Sequence, residues 1–328
     1  MKTVLTAKVA IIAFSLAAVV NCEEPPTEIE GPYVPPQVKG YDGRRLIWKP
    51  ADEYEKQCYE PDFSPDGTKV VASYRDGIWG RDADVAILDL NTAEFKVVLE
   101  GNSAKRPQWS PTGEWIAYES QHPAHSRTLW LVRPDGSENQ KVELGINEVY
   151  VPYWGPDGDK IYFVGHYVRR EPLYALWYDL RTKELHVLRK PVNELHHNVA
   201  VPSPGGDNVA LGLMERYGRH GHVVLALVDA DGSGFRVLWS ELNGSWGGVG
   251  NPRDWSPDGK YVLIRYDPPH GTGDSLWTYE LKTAAVRQLT MCPPDEDVQI
   301  VPHGSWGPNG DIVFATEWGW LYLIKAPE

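Results

Sequence analysis

Phe63-Ser64-Pro65-Asp66-Gly67 returns as Trp109-Ser110-Pro111-Thr112-Gly113, Trp154-Gly155-Pro156-Asp157-Gly158, Trp255-Ser256-Pro257-Asp258-Gly259 and Trp306-Gly307-Pro308-Asn309-Gly310. A weaker copy, Pro202-Ser203-Pro204-Gly205-Gly206, fills the wide gap after the third. The final glycines stand 46, 45, 48, 53 and 51 residues apart, a period that marks a repeat architecture. In each copy an aromatic ends a strand and Pro-Asp-Gly makes a tight turn, Pro setting φ and Gly taking φ > 0. An apolar strand follows, as in Lys69 to Ser73 or Tyr261 to Arg265. A polar loop, a third strand such as Leu129 to Arg133, a second turn and a fourth strand complete the unit. Four antiparallel strands repeated radially make a propeller blade. The sequence therefore predicts an all-β fold, a six-bladed β-propeller of four-stranded antiparallel blades over residues 41–328.

The last copy is one strand short, because the chain stops after Trp320 to Lys325. The surplus lies at the other end, where Arg44 to Trp48 precedes the first copy. That strand is expected to complete the sixth blade and close the ring, which removes an open edge.

Ahead of the repeats, Lys2 and Lys8 lead into the uncharged, mostly apolar run Val9 to Val20. Twelve residues are too few to span a bilayer and suit an export signal, read here as residues 1–21. Residues 22–40 are Pro-rich without hydrophobic period, a tether. The 328 residues carry 45 Asp+Glu against 32 Lys+Arg, a formal charge of −13, with 42% hydrophobic residues. An acidic chain repels phosphate, so nucleic-acid binding through bulk charge is excluded. Gly 31, Pro 27 and 14 Trp fit many short strands and turns. Once the leader is removed, Cys58 and Cys292 stand at different offsets from the repeat, which argues against a bond between them.

The aromatic-Ser-Pro-Asp-Gly copies resemble the TolB-like, WD40-like propeller repeats of exported bacterial proteins, over roughly residues 44 to 325. That resemblance implies the fold and an exported, periplasmic or envelope location. TolB carries an α/β domain before its propeller, where only the Pro-rich arm is read here, so its role in envelope assembly is not carried over. Val19-Val20-Asn21-Cys22 resembles a lipoprotein cleavage box with Cys22 as the lipidated residue. Asn21 departs from the usual small residue, and a plain secretory cut nearby is the other reading. A lipid on Cys22 would be the chain's only hold on a membrane, and the protein is expected to be a monomer.

Strand order places the strand-two-to-three loops and the blade crossovers on one face. Those segments hold Arg75, Trp79, His122, His166, Arg169, Arg216, His220, His222 and His270, with Arg106, Tyr150, His196, His197 and Asn251 from the crossovers. Eight of the ten histidines fall on this face. Arginine grips carboxylates bidentately and Trp or Tyr stacks on flat apolar surfaces. The expected ligand is an anionic, uronate-containing oligosaccharide, or else an envelope protein.

A catalytic alternative uses the same residues. β-Elimination from a uronate needs a base for the proton α to the carboxylate and a cation for the developing enolate. His197 or His196 supplies the base, Tyr150 a proton donor, and Arg106, Arg169 or Arg216 the neutralising charge. Oligogalacturonate and ulvan lyases are propellers, so an anionic-polysaccharide lyase suits the scaffold. The residues assign no particular cofactor, and a divalent metal is the one candidate. His220-Gly221-His222 or His196-His197 could ligate a divalent metal, although no Cys or carboxylate completes a recognisable spacing. Asp229 to Ser240 imitates a calcium loop but ends on Ser where Glu is expected, so it is read as a hairpin turn. No Gly-x-Ser-x-Gly elbow, phosphate-cradling loop or dinucleotide fingerprint occurs.

Overall fold

The computed structural model describes residues 45–49, 56–76, 83–121, 126–167, 171–191, 195–215, 223–240, 251–266, 275–290, 300–316 and 319–326. Its regular elements are all strands, in six sheets of four antiparallel strands each. The innermost strands of blades one to six are Lys56–Phe63, Ala104–Trp109, Glu148–Trp154, Leu195–Pro202, Pro252–Trp255 and Ile300–Trp306. Each touches its neighbours in cyclic order, and the sixth returns to the first. Within blade one the order outward is Lys56–Phe63, Lys69–Asp76, Ala83–Asp89 and Phe95–Leu99, and blades two to five repeat it. Blade six is built from both ends of the ring: Ile300–Trp306, Asp311–Thr316 and Leu321–Lys325, then Arg45–Trp48 outermost. Arg45 pairs with Leu323 and Leu46 with Tyr322. The expected closure by the N-terminal strand is thus observed.

The repeated motif holds the blades by local hydrogen bonds. Gly67, Gly113, Gly158, Gly206, Gly259 and Gly310 all lie between φ 69° and 75°, where a side chain would be strained. The Ser of the repeated motif receives the N–H five residues on: Lys69 on Ser64 at 2.9 Å, Trp115 on Ser110 at 3.0 Å, Asn208 on Ser203 at 3.1 Å and Tyr261 on Ser256 at 2.9 Å. Ser256 in turn donates to Asp258 at 2.7 Å. Ser256→Ala leaves the Tyr261 N–H without that oxygen and is expected to cost about 1 kcal/mol. Urea denaturation checks this, with a midpoint shift at unchanged slope as the expected result.

The aromatics fill the seams between blades. Phe63 packs with Val313, Ala315 and Leu321 of blade six, and Trp109 with Val71 and Val85 of blade one. Trp154 does the same on Ala117 and Leu129, Trp255 on Val199 and Leu225, and Trp306 on Leu263 and Leu276. Cys58 is buried in the first of these seams as a free thiol, and Cys292 lies outside the described residues. The Asp229–Ser233 stretch is a hairpin turn, with Asp229 N–H on the Ser233 carbonyl and Gly232 at φ 84°. The calcium-loop likeness is therefore a turn, as expected.

Candidate functional site

Three inner strands carry the same irregularity. Glu60, Arg106 and Val151 each stand three residues before the blade aromatic and precede a proline, and their φ values are 54°, 52° and 53°. Pairing skips from Tyr59 to Asp62, from Lys105 to Gln108 and from Tyr150 to Tyr153. Proline cannot donate to a ladder, and an unpaired pair of residues bends the strand and re-aims its side chains. In blade six the skip falls between Val301 and Gly304. The result is a polar cavity on the inner strands, lined by Glu60, Arg106, Tyr153, Arg253, His303 and Ser305 among others. Its volume is about 20 Å³, room for one or two waters or a group of that size.

The charges around it are mostly neutralised in pairs. Glu119, fully buried on the second strand of blade two, accepts from Arg106 Nη1 at 2.9 Å and from Arg127 Nη1 at 2.7 Å. The Val151 N–H, at 3.3 Å, comes from the next blade. Glu60 receives the Arg106 backbone N–H at 2.8 Å and faces Arg106 Nε at 3.3 Å and His303 Nε2 at 3.8 Å. Burial draws the Arg106 guanidinium down, but Glu60 and Glu119 more than restore it, so it is held charged. His303 is the opposite case: burial, then the charges of Arg253, Arg106 and Arg265, push its imidazolium well below the usual range. It is neutral at pH 7.

Towards the Pro-Asp-Gly turns lies a carboxyl pair. Ser305 Oγ is 2.7 Å from Asp62 Oδ1 and 3.0 Å from Asp254 Oδ2. Asp62 also accepts the Trp109 N–H and Asp254 the Trp306 N–H, each at 2.7 Å and each from the following blade. These acids stitch blades one to two and five to six, a structural use. A hydroxyl donates only one proton, so contacts with two carboxyls require one acid to donate to Ser305. Burial, then the Asp254 charge, pushes Asp62 up to about 7, and burial pushes Asp254 to about 6. The pair accordingly shares one proton near neutral pH.

Of the residues expected at the ligand face, Tyr150 and His166 meet over Glu148. The Tyr150 hydroxyl donates to Glu148 Oε2 at 2.6 Å, and His166 Nε2 lies 3.2 Å from the same oxygen. Arg127 lies over the Tyr150 ring at 4.7 Å. Burial, then the hydrogen bond and charge of Glu148, push the Tyr150 phenol up, so it stays protonated. Arg75 lies over the Tyr59 ring at 5.1 Å, and Arg106 joins the central cavity. His197 is 1% exposed, with Nε2 3.2 Å from the Lys190 carbonyl. That oxygen can only accept, so Nε2 carries the proton. Asn251 is half-buried beside Gly212. His196 belongs to the same strand as His197, its side chain outside the described set. Trp79, His122, Arg169, Arg216, His220, His222, His270 and Cys22 also lie outside the described residues. Among those described, no cluster of three or more His, Cys, Asp or Glu could hold a metal.

Four central groups escaped the sequence reading: Glu60, Glu119, Arg253 and His303. The usable signal was a charged residue before proline, Glu60-Pro61 and Arg106-Pro107, where a central strand should avoid proline.

No family model matches the chain. An uncharacterized protein of Agrobacterium fabrum is 24% identical over 209 residues, covering 63% of this chain and 54% of that protein. The Tol-Pal system protein TolB of Francisella tularensis is 30% identical over 105 residues, 30% of this chain and 23% of TolB. The chain thus spans about half and about a quarter of these relatives. Among solved structures, a TolB from Agrobacterium tumefaciens aligns with TM-score 0.61 at 17% identity, over 87% of this chain and 94% of that one. An oligogalacturonate lyase from Vibrio parahaemolyticus aligns with TM-score 0.57 at 15% identity, over 88% and 95%. The fold is that of a TolB-like six-bladed β-propeller.

Proposed function

We propose that this protein is an exported, ligand-binding propeller whose loop face takes an anionic, uronate-bearing glycan. The supporting observation is charge placement. In a chain of net −13, Arg75, Lys105, Arg106, Arg127, Arg253 and Arg265 all belong to the first two strands of a blade or the loop that follows. Arg75 and Arg127 each already lie over an aromatic ring, a pairing that also suits stacking on a sugar. Residues 1–21 are the export signal and 22–40 the tether, with Cys22 as the lipid site. An envelope protein is the other class of occupant, supported by the relatives named as Tol-Pal system proteins.

A second reading is lyase chemistry, favoured by the Tyr150–Glu148–His166 arrangement beside Arg127. A protonated phenol next to a cation fits the donor for a leaving oxygen. Calorimetric titration with galacturonate oligomers against neutral oligomers tests binding. The expected result is selective binding of the acidic series that weakens as salt rises, with Arg75→Ala reducing affinity about tenfold. Equal affinity for neutral oligomers, or none for either, refutes the glycan reading. Ultraviolet absorbance of an unsaturated product separates lyase from binder.

A further inference from the structure

Among the described residues that line the central cavity, Arg253 is the arginine that makes no ion pair. Glu60 and Glu119 are spent on Arg106 and Arg127. The carboxyl pair, which keeps one negative charge, is hydrogen-bonded to Ser305 and to the Trp109 and Trp306 N–H groups and makes no ion pair with Arg253 among the described residues. Arg253 is 7% exposed, lines the cavity, and its Nε has no hydrogen-bond partner among the described residues. Nor does any described carboxylate approach it within ion-pairing distance. A buried guanidinium without a counter-ion is costly, because desolvation is not offset by pairing. Burial draws it down to about 10, helped by the charges of Arg265 and Arg106 and opposed by Tyr153 and Glu60, so it remains charged at neutral pH. The same space is faced by Tyr153, whose hydroxyl is a donor, by neutral His303, and by Glu60 and Asp62, the first paired with Arg106 and the second hydrogen-bonded to Ser305 and the Trp109 N–H.

We infer that this cavity is a receptor for a single small carboxylate, held by Arg253 and Tyr153 with Arg106 alongside. Size sets the class. About 20 Å³ admits a carboxylate head and excludes a sugar ring. The carboxylate is therefore either free, as formate, or the end of a longer ligand. Guanidinium and carboxylate form two parallel N–H···O bonds, and a phenol supplies a third donor. The site deepens the uronate reading and rests on it only for the source of the carboxylate.

The test is a thermal titration of the full chain with sodium formate, ionic strength being matched with a bulky sulfonate. Wild type is expected to gain about 5 °C at formate 100-fold above Kd. Arg253→Gln is expected to lose that response, while its midpoint without formate equals or exceeds wild type, since an uncompensated buried charge is gone. Tyr153→Phe, which keeps the ring, is expected to weaken formate about tenfold. No response in wild type, or a response kept in Arg253→Gln, overturns the site. If Arg253→Gln fails to fold, an unchanged formate affinity in Tyr153→Phe overturns it instead. A second arm adds galacturonate oligomers at fixed formate. Competition joins the two readings. Formate binding without competition keeps the carboxylate site and removes the uronate as its source. Oligomer binding that ignores Arg253→Gln in a protein deaf to formate keeps the glycan reading and removes the site.

Discussion

Glu119→Gln is expected to lower the unfolding midpoint by about 6–12 °C. The wild-type carboxylate is fully buried and joins Arg106 of the inner strand, at 2.9 Å, to Arg127 of the loop that follows its own strand, at 2.7 Å. Glutamine keeps one acceptor oxygen but turns an amide N–H towards a guanidinium and removes the negative charge. Breaking a buried pair costs about 3–5 kcal/mol. The arginine side chains are 24% and 27% exposed, so water offsets part of the loss and the low end, about 3 kcal/mol, applies. At about 2–4 °C per kcal/mol for a domain of this size, that gives the stated shift. Calorimetry checks it, and the double variant Glu119→Gln with Arg127→Gln is expected to recover part of the loss. An unchanged midpoint would mean the two arginines do not depend on Glu119.

Asp62→Asn is expected to stabilise the protein at alkaline pH and to do little in acid. The folded Asp62 is pushed from 3.8 up to about 7 by burial and by Asp254. Between these values the folded state holds a proton that the unfolded chain has released. Stability therefore falls as pH rises from about 4 to about 7 and stays reduced above. Asparagine copies the protonated acid: its oxygen accepts the Trp109 N–H and its amide donates to Ser305, which then donates to Asp254. The variant minus wild-type difference in unfolding free energy is expected to grow from near zero at pH 4 to roughly 2–4 kcal/mol at pH 8. Urea midpoints at the two pH values read it. A difference that does not grow with pH would show that Asp62 holds no proton in the fold.

Both residues illustrate what was and was not legible in the chain. Asp62 and Asp254 could be read as hydrogen-bonding structural acids, because each directly precedes the blade aromatic. Their sharing of Ser305 could not, since Ser305 lies 243 residues from Asp62. Glu119 reads as the end of the apolar strand Trp115 to Glu119, and Arg253 as the residue before a structural acid. Alternation along a strand specifies a face but not a bulge, and the bulges at Glu60, Arg106 and Val151 turn side chains into the cavity. The histidine-rich face was inferred from loop order alone, and its described members do not gather in one place. Tyr150 and His166 gather on Glu148, while His197 is buried against the Lys190 carbonyl.

Blade number, strand order and closure by Arg45–Trp48 were determined by the sequence itself, because turns and hydrophobic period are local and repeat six times. The balance of charge at the centre was decided only by tertiary structure. Inner strands more than forty residues apart in sequence meet there. Whether an arginine becomes one half of a pair or a lone buried cation depends on which strands the ring brings together. Arg106 ion-pairs with two carboxylates, while Arg253 makes no ion pair among the described residues.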